Sequence, residues 1–244
     1  MLLAIDVGNT NITAGLFRGD RLASRGRIPT RGTLAALLRG MKLVPRDVSG
    51  VILSSVVPAA TASLNREILR LRLPKPLVLG ESIRAPIKNR ARVPSQVGQD
   101  RLVNGVGACG LYGAPAVVVD FGTAVTLDLI GAPCQYRGGL IFPGVGTSLE
   151  ALVLNAALLP EIKLAPPSEF LGRDTRQSML SGLFYGYGAL CDGIVARLRA
   201  KYAPRAKVIA TGGHSRLLAP FCKTVKIIDP DLTLHGLRLT YQRA

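Results

Sequence analysis

The sequence predicts an α/β protein made of two related halves, residues 1–113 and 114–244, each a mixed β-sheet flanked by helices, with an active-site cleft between them. Three observations predict it. Short β-rich apolar runs alternate with segments of helical apolar spacing, one turn motif occurs twice about half a chain apart, and no low-complexity linker divides the chain.

Leu2-Leu3-Ala4-Ile5-Asp6 is a buried-strand run that ends at Gly8-Asn9-Thr10; apolar character resumes over Ile12–Phe17, and Gly19-Asp20 turns the chain again. That is strand, tight turn, strand. Val51–Val57 and Ala116–Val119 are similar short strands, while 59–72 and 98–111 carry apolar residues at helical spacing. Thr175–Tyr202 is the longest helical stretch, although Gly182, Gly186 and Gly188 weaken its continuity. A strand at Val208–Ala210 and a Gly212-Gly213 turn follow it.

The repeat pairs Asp6-Val7-Gly8-Asn9-Thr10-Asn11-Ile12-Thr13 with Asp120-Phe121-Gly122-Thr123-Ala124-Val125-Thr126. In each copy an Asp closes an apolar strand, a Gly two residues on permits a sharp turn, and Thr follows before a second apolar strand leaves. A glycine there lets backbone N–H groups turn toward an anion. The Thr10 and Thr13 hydroxyls and the Asn9 and Asn11 amides add donors, and Asp6 can hold a hydrated Mg²⁺, which prefers one or two carboxylates plus phosphates. Taken alone, the motif is equally an ordinary hairpin turn. The second copy suits the far side of a triphosphate or a bound cation, and two such clips make a nucleotide site.

Gly98-Gln99-Asp100-Arg101 opens a helical segment, where a carboxylate beside a guanidinium can deprotonate a hydroxyl and hold an anion. Asp100 is the best base candidate, and the same residue is also what a helix macrodipole favours in a first turn. Gly138-Gly139-Leu140-Ile141-Phe142-Pro143-Gly144 forms a rigid corner leading into a helix near Thr147, and Thr211-Gly212-Gly213 follows a strand and can flank an adenosine.

Bulk properties narrow the classes. The 244 residues, 48% hydrophobic with 27 glycines, suffice for a sizeable core. Apolar runs are broken before the roughly 18 to 20 residues of a membrane span, and no basic leader precedes the first one, so a cytoplasmic address without membrane contact is expected. Cys109, Cys134, Cys191 and Cys222 are scattered and read as core thiols, and His214 and His235 lack ligand spacing. The net charge of +16 comes mostly from arginine spread along the chain. The basic cluster at 84–92 has no aromatic residue on which bases would stack, which argues against nucleic acid; the arginine excess reads as a bias toward Arg on solvated faces, some of it attracting anionic substrates.

Together these residues resemble the type III pantothenate kinases, a family of the actin, sugar-kinase and Hsp70 superfamily with ribonuclease H-like, actin-like halves. Five stretches carry the resemblance in order: Asp6 to Thr10, Gly98 to Arg101, Asp120 to Thr126, 138–144, and Thr175, Met179, Ser181 and Gly182. The resemblance implies that Asp6, Val7, Gly8, Asn9, Thr10, Asn11, Ile12, Thr13 and Thr123 contact ATP. It further implies that Asp100 is the base acting on the primary hydroxyl of pantothenate, that Gly98, Gln99, Asp100 and Arg101 hold this substrate, and that Asp120 binds a monovalent cation, K⁺ or NH₄⁺. Thr175 would reach pantothenate from the neighbouring subunit of a homodimer, and ATP with Mg²⁺ would complete the site. The product would be 4′-phosphopantothenate, the entry to coenzyme A synthesis.

The sequence departs from the family upstream of the base, with Ala91 where a Tyr is usual, Val93 for an Asn and Gln99 for a small residue. One wall of the pantothenate pocket is therefore expected to be built differently, with Arg90 or Arg92 as candidates to meet the substrate carboxylate. Two alternatives accompany the leading reading: a catalytically silent regulatory homologue of the same fold, and a kinase for another small hydroxylated acid or sugar.

Overall fold

In a computed structural model covering Met1–Ala244, the first turn motif joins two antiparallel strands, β1 (Leu2–Val7) and β2 (Asn11–Arg18). The edge strand β3 (Arg21–Pro29) pairs antiparallel with β2. After α1 (Leu34–Gly40), β4 (Gly50–Ser55) runs parallel to β1; after α2 (Pro58–Arg70), β5 (Leu77–Val78) runs parallel to β4. The sheet order is β3-β2-β1-β4-β5. A short strand, β6 (Lys88–Asn89), precedes α3 (Gln99–Tyr112).

The second copy of the motif repeats the arrangement. β7 (Ala116–Phe121), β8 (Ala124–Gly131) and β9 (Gln135–Pro143) form an antiparallel meander, followed by α4 (Val145–Asn155) and α5 (Thr175–Lys201). β10 (Lys207–Thr211) then returns parallel to β7, and after α6 (Ser215–Leu218), β11 (Ile227–Ile228) runs parallel to β10. The order β11-β10-β7-β8-β9 matches that of the first sheet strand for strand. The chain ends in α7 (Leu232–Tyr241).

β1, β4 and β7 are nearly continuous apolar runs because strands of this kind are covered on both faces. Leu3, Ile5, Val51 and Leu53 pack with Leu34, Leu37, Leu64 and Ile68 from α1 and α2. On the opposite face Ala4 and Ile52 meet Val103 of α3 and Leu234 and Leu237 of α7. Full burial of each such Leu or Ile side chain contributes roughly 1.5–3 kcal/mol. In the second sheet Val117, Val119 and Phe121 pack under Leu180, Phe184, Cys191 and Val195 of α5.

Three expectations change. The first compact unit is Met1–Leu111 together with Leu232–Ala244, and the second is Tyr112–Asp231. The C-terminal helix, expected with the second half, belongs to the first, because its apolar stripe completes the cluster on Ala4 and Ile52. Next, α5 is continuous through its glycines, and at Gly188 a side chain would overlap the Phe221 carbonyl, so the missing Cβ serves close packing. By length and composition α5 also reaches what a membrane span needs, contrary to the sequence reading, but half of its apolar window is buried inside the protein. Cys191 and Cys222 are buried free thiols, as expected.

Candidate active site

The first turn is tied at both ends. Gly8 N–H donates to the Asn11 carbonyl at 2.9 Å, the Thr30 hydroxyl donates to the Gly8 carbonyl at 2.8 Å, and Thr30 N–H donates to the Thr10 carbonyl at 3.0 Å. Asn9 and Thr10 are exposed, Gly8 and Asn11 half-buried. The side chains of Val7 and Ile12 lie in the core, each 1% exposed, so these two face a ligand only with backbone.

Strand register places a hydroxyl residue on each side of both motif aspartates. Asp6 pairs with Thr13 on β2 and with Ser54 on β4. Asp120 pairs with Thr126 on β8 and with Thr211 on β10. Directly paired residues project from the same face of a sheet. For Asp6 and Ser54 that face is the one shared with Ala4 and Ile52, which α3 covers. Sequence reasoning missed Ser54 and valued Thr211 only for the glycines after it.

The second turn is held by its neighbours' backbones. Gly122 N–H donates to the Ala124 carbonyl at 3.1 Å, and the Thr123 carbonyl accepts from Gly144 N–H at 2.9 Å and from the Thr147 hydroxyl at 3.0 Å. A Cβ on Gly144 would collide with the Gly122 and Thr123 carbonyls, so the corner over 138–144 seats α4 directly on the turn. Gly212, with φ +91°, presses the same way against the Asp120 carboxylate and the Phe121 backbone. Thr123 itself is exposed.

Asp100 lies in the first turn of α3, half-buried. Its carboxylate accepts the Arg101 N–H at 2.9 Å. Burial raises its proton affinity above the ordinary carboxylate value, against the opposing pull of that N–H and the Arg101 guanidinium. A Cβ on Gly98 would meet an oxygen of this carboxylate. Gln99 packs against Gly80, just beyond the C-terminal end of β5. β5, β4 and β1 are parallel neighbours with Val78 level with Leu53, and Leu53 with Ile5. The N-terminus of α3 therefore stands at the sheet edge where the first turn emerges, with β5 about two strand spacings, roughly 10 Å, from β1.

Thr175 is exposed at the start of α5, whose N-cap Asp174 accepts Gln177 N–H at 2.7 Å. In the segment that departs from the family pattern, Ala91 N–H donates to Asn89 Oδ1 at 3.0 Å and Asn89 Nδ2 donates to the Pro94 carbonyl at 3.1 Å. The loop is thus braced by Asn89. Arg90 and Arg92 are exposed. No three His, Cys, Asp or Glu side chains converge into an all-protein metal cage. Single carboxylates flanked by hydroxyls suit instead a hydrated Mg²⁺ or a weakly held monovalent cation, both of which take oxygen ligands.

With the motifs in place, the type III pantothenate kinase family model matches residues 2–197. The chain belongs to this family. A type III pantothenate kinase of Geobacillus sp. (strain WCH70) is 42% identical over 252 aligned residues, covering 100% of this chain and 98% of the relative. Among solved structures, a Campylobacter jejuni protein assigned to a Baf family of transcriptional activators aligns with TM-score 0.61 at 18% identity, over 99% of this chain and 98% of that one. The activator of 2-hydroxyisocaproyl-CoA dehydratase from Clostridium difficile aligns with TM-score 0.58 at 12% identity, over 100% and 93%. These likenesses bear on fold alone: an α/β architecture with two mixed sheets, in keeping with the duplicated strand order.

Proposed function

We propose that this protein transfers the γ-phosphoryl group of ATP to the primary hydroxyl of pantothenate, giving 4′-phosphopantothenate and ADP for coenzyme A synthesis. The observation that carries the reading, given the family, is Asp100: a half-buried carboxylate of raised proton affinity at the sheet edge of the first turn. Asp100 takes the hydroxyl proton as that oxygen bonds to the γ-phosphorus and the bond to the ADP oxygen breaks. Gly98, Gln99 and Arg101 hold the substrate beside it, with the guanidinium balancing charge.

Backbone N–H groups of the first turn, with the side chains of Asn9, Thr10, Asn11 and Thr13, donate to phosphate oxygens, and Thr123 does so from the second turn. Asp6 would hold Mg²⁺ and Asp120 a monovalent cation, K⁺ or NH₄⁺; when bound, these neutralise charge on the transferring group. Thr175 would reach pantothenate from the neighbouring subunit of a homodimer. Support for the dimer comes from apolar side chains open to solvent around α4 and before α5: Leu154 is 83% exposed, Leu158 94%, Phe170 71% and Leu171 75%. We assign the protein to the cytoplasm, where ATP is supplied, and read its basic charge as drawing anionic substrates rather than nucleic acid.

A second substrate reading is favoured by one observation, the Asn89-braced loop with Ala91 in place of Tyr, which alters a pocket wall. Coupled ADP release with pantothenate, glycerol and a sugar panel, with and without K⁺, separates the readings. Turnover with pantothenate that rises with K⁺ supports the proposal. Turnover with another alcohol alone overturns the substrate, and salt-sensitive nucleic-acid binding without turnover favours the regulatory reading.

A further inference from the structure

The buried serine and threonine hydroxyls of the protein divide into two groups. Those of Thr61, Ser181, Ser215 and Thr240 each donate to a backbone carbonyl, of Val57, Phe170, Gly212 and Gly236 respectively. Those of Ser54 and Thr211, on residues with 0% exposure, have no hydrogen-bond partner at all. Leaving a donor unmatched in the interior destabilises a fold, so each instance requires a reason. Both stand at equivalent points of the duplicated topology. Ser54 is the parallel-strand register partner of Asp6, and Thr211 that of Asp120.

We propose that Ser54 and Thr211 are positioning residues, whose hydroxyls turn onto the carboxylates of Asp6 and Asp120 when nucleotide and its metal load the two turns. The inference rests on the ATP-dependent reading above. A hydroxyl donated to one carboxylate oxygen fixes the side-chain rotamer, keeps the group ionised and leaves the other oxygen aimed at the ligand. In the free protein the same donors stay unsatisfied, so part of the stability of the free fold is given up for a site shaped before the ligand arrives.

The hypothesis separates from a structural role because the two predict opposite signs. The full chain is compared as wild type, Ser54→Ala, Thr211→Val and Thr211→Ser. Thermal melting is measured without ligand, and binding of a non-hydrolysable ATP analogue with Mg²⁺ is measured by calorimetry. Ser54→Ala and Thr211→Val are expected to melt at or above wild type, since each removes an orphaned buried donor. They should bind the analogue about tenfold more weakly, the loss of one hydrogen bond to a charged group. Thr211→Ser, which keeps the hydroxyl, should stay within about twofold of wild type by the same reasoning. A lower ligand-free melting temperature in Ser54→Ala or Thr211→Val, or unchanged affinity in either, overturns the assignment. Wild-type protein that fails to bind the analogue overturns the ATP-dependent reading itself, and this assignment with it.

Discussion

If Asp100 is the base, its reactivity is set by surroundings that pull in two directions. Burial raises its proton affinity, while the Arg101 N–H and guanidinium lower it, and burial wins. An ionised base is needed for turnover, so the acid limb of the kcat/KM profile should lie above the ordinary carboxylate range, and pH-rate measurements check this. The sign for stability is the reverse. Far below that range the carboxyl is protonated in both states; as pH rises the unfolded chain releases its proton first, so stability falls until the folded group has titrated too. Asp100→Asn should therefore cut turnover by at least about 100-fold while leaving the melting temperature at neutral pH unchanged or raised. A destabilised variant would show that Asp100 is instead a structural cap. The Gly-x-Asp-Arg pattern made this residue legible in the sequence. Ser54 was not, because its place beside Asp6 depends on the register of strands from distant parts of the chain.

Elements seat the second turn by close backbone approach, with the Thr147 hydroxyl donating to the Thr123 carbonyl. Gly144 begins α4 with its α-carbon against the Gly122 and Thr123 carbonyls. Gly144→Ala should force the turn outward at a cost of about 1–3 kcal/mol and weaken nucleotide binding, which calorimetry would register; intact affinity would show that the turn does not touch the ligand. α5 is anchored differently. Asp192 accepts N–H donors from Lys223 and Thr224 at 2.9 and 2.8 Å and the Thr224 hydroxyl at 2.7 Å. Burial alone would raise its pKa, but these bonds and the Lys223 charge together hold it below the ordinary value. Its stabilisation is present above the unfolded-state pKa and is lost as pH falls through the lowered folded-state value. Asp192→Asn should cost about 1 kcal/mol at neutral pH, a melting shift of about 2–4 °C, and the difference should vanish in strong acid. The strands at the motif were legible from their apolar runs. The continuity of α5 was not, since glycine propensity argues against a helix wherever tertiary packing is what requires the small residue.

At the scale of the whole molecule, duplication was legible because two turns carry the same residues, and the strand orders of the two sheets agree with it. The return of α7 to the first unit was not, since apolar helical spacing shows that a helix covers a sheet without showing which one. Subunit assembly is the remaining level, and the exposed leucines make it testable. If the patch is a homodimer surface, Leu154→Asp with Leu158→Asp should yield a 25.8 kDa monomer in light scattering, since a charge cannot be buried there without a partner. Thr175 allows a sharper test. When Asp100 of one subunit works with Thr175 of the other, Asp100→Asn and Thr175→Ala proteins are each inactive at low pantothenate. Mixed dimers then contain one intact site of two, because the unaltered Asp100 and the unaltered Thr175 meet across the interface. Random re-association of equal amounts makes half of the dimers mixed, so about a quarter of the wild-type rate should return in an isologous dimer. A mixture that stays inactive after verified exchange would place Thr175 outside the partner's site.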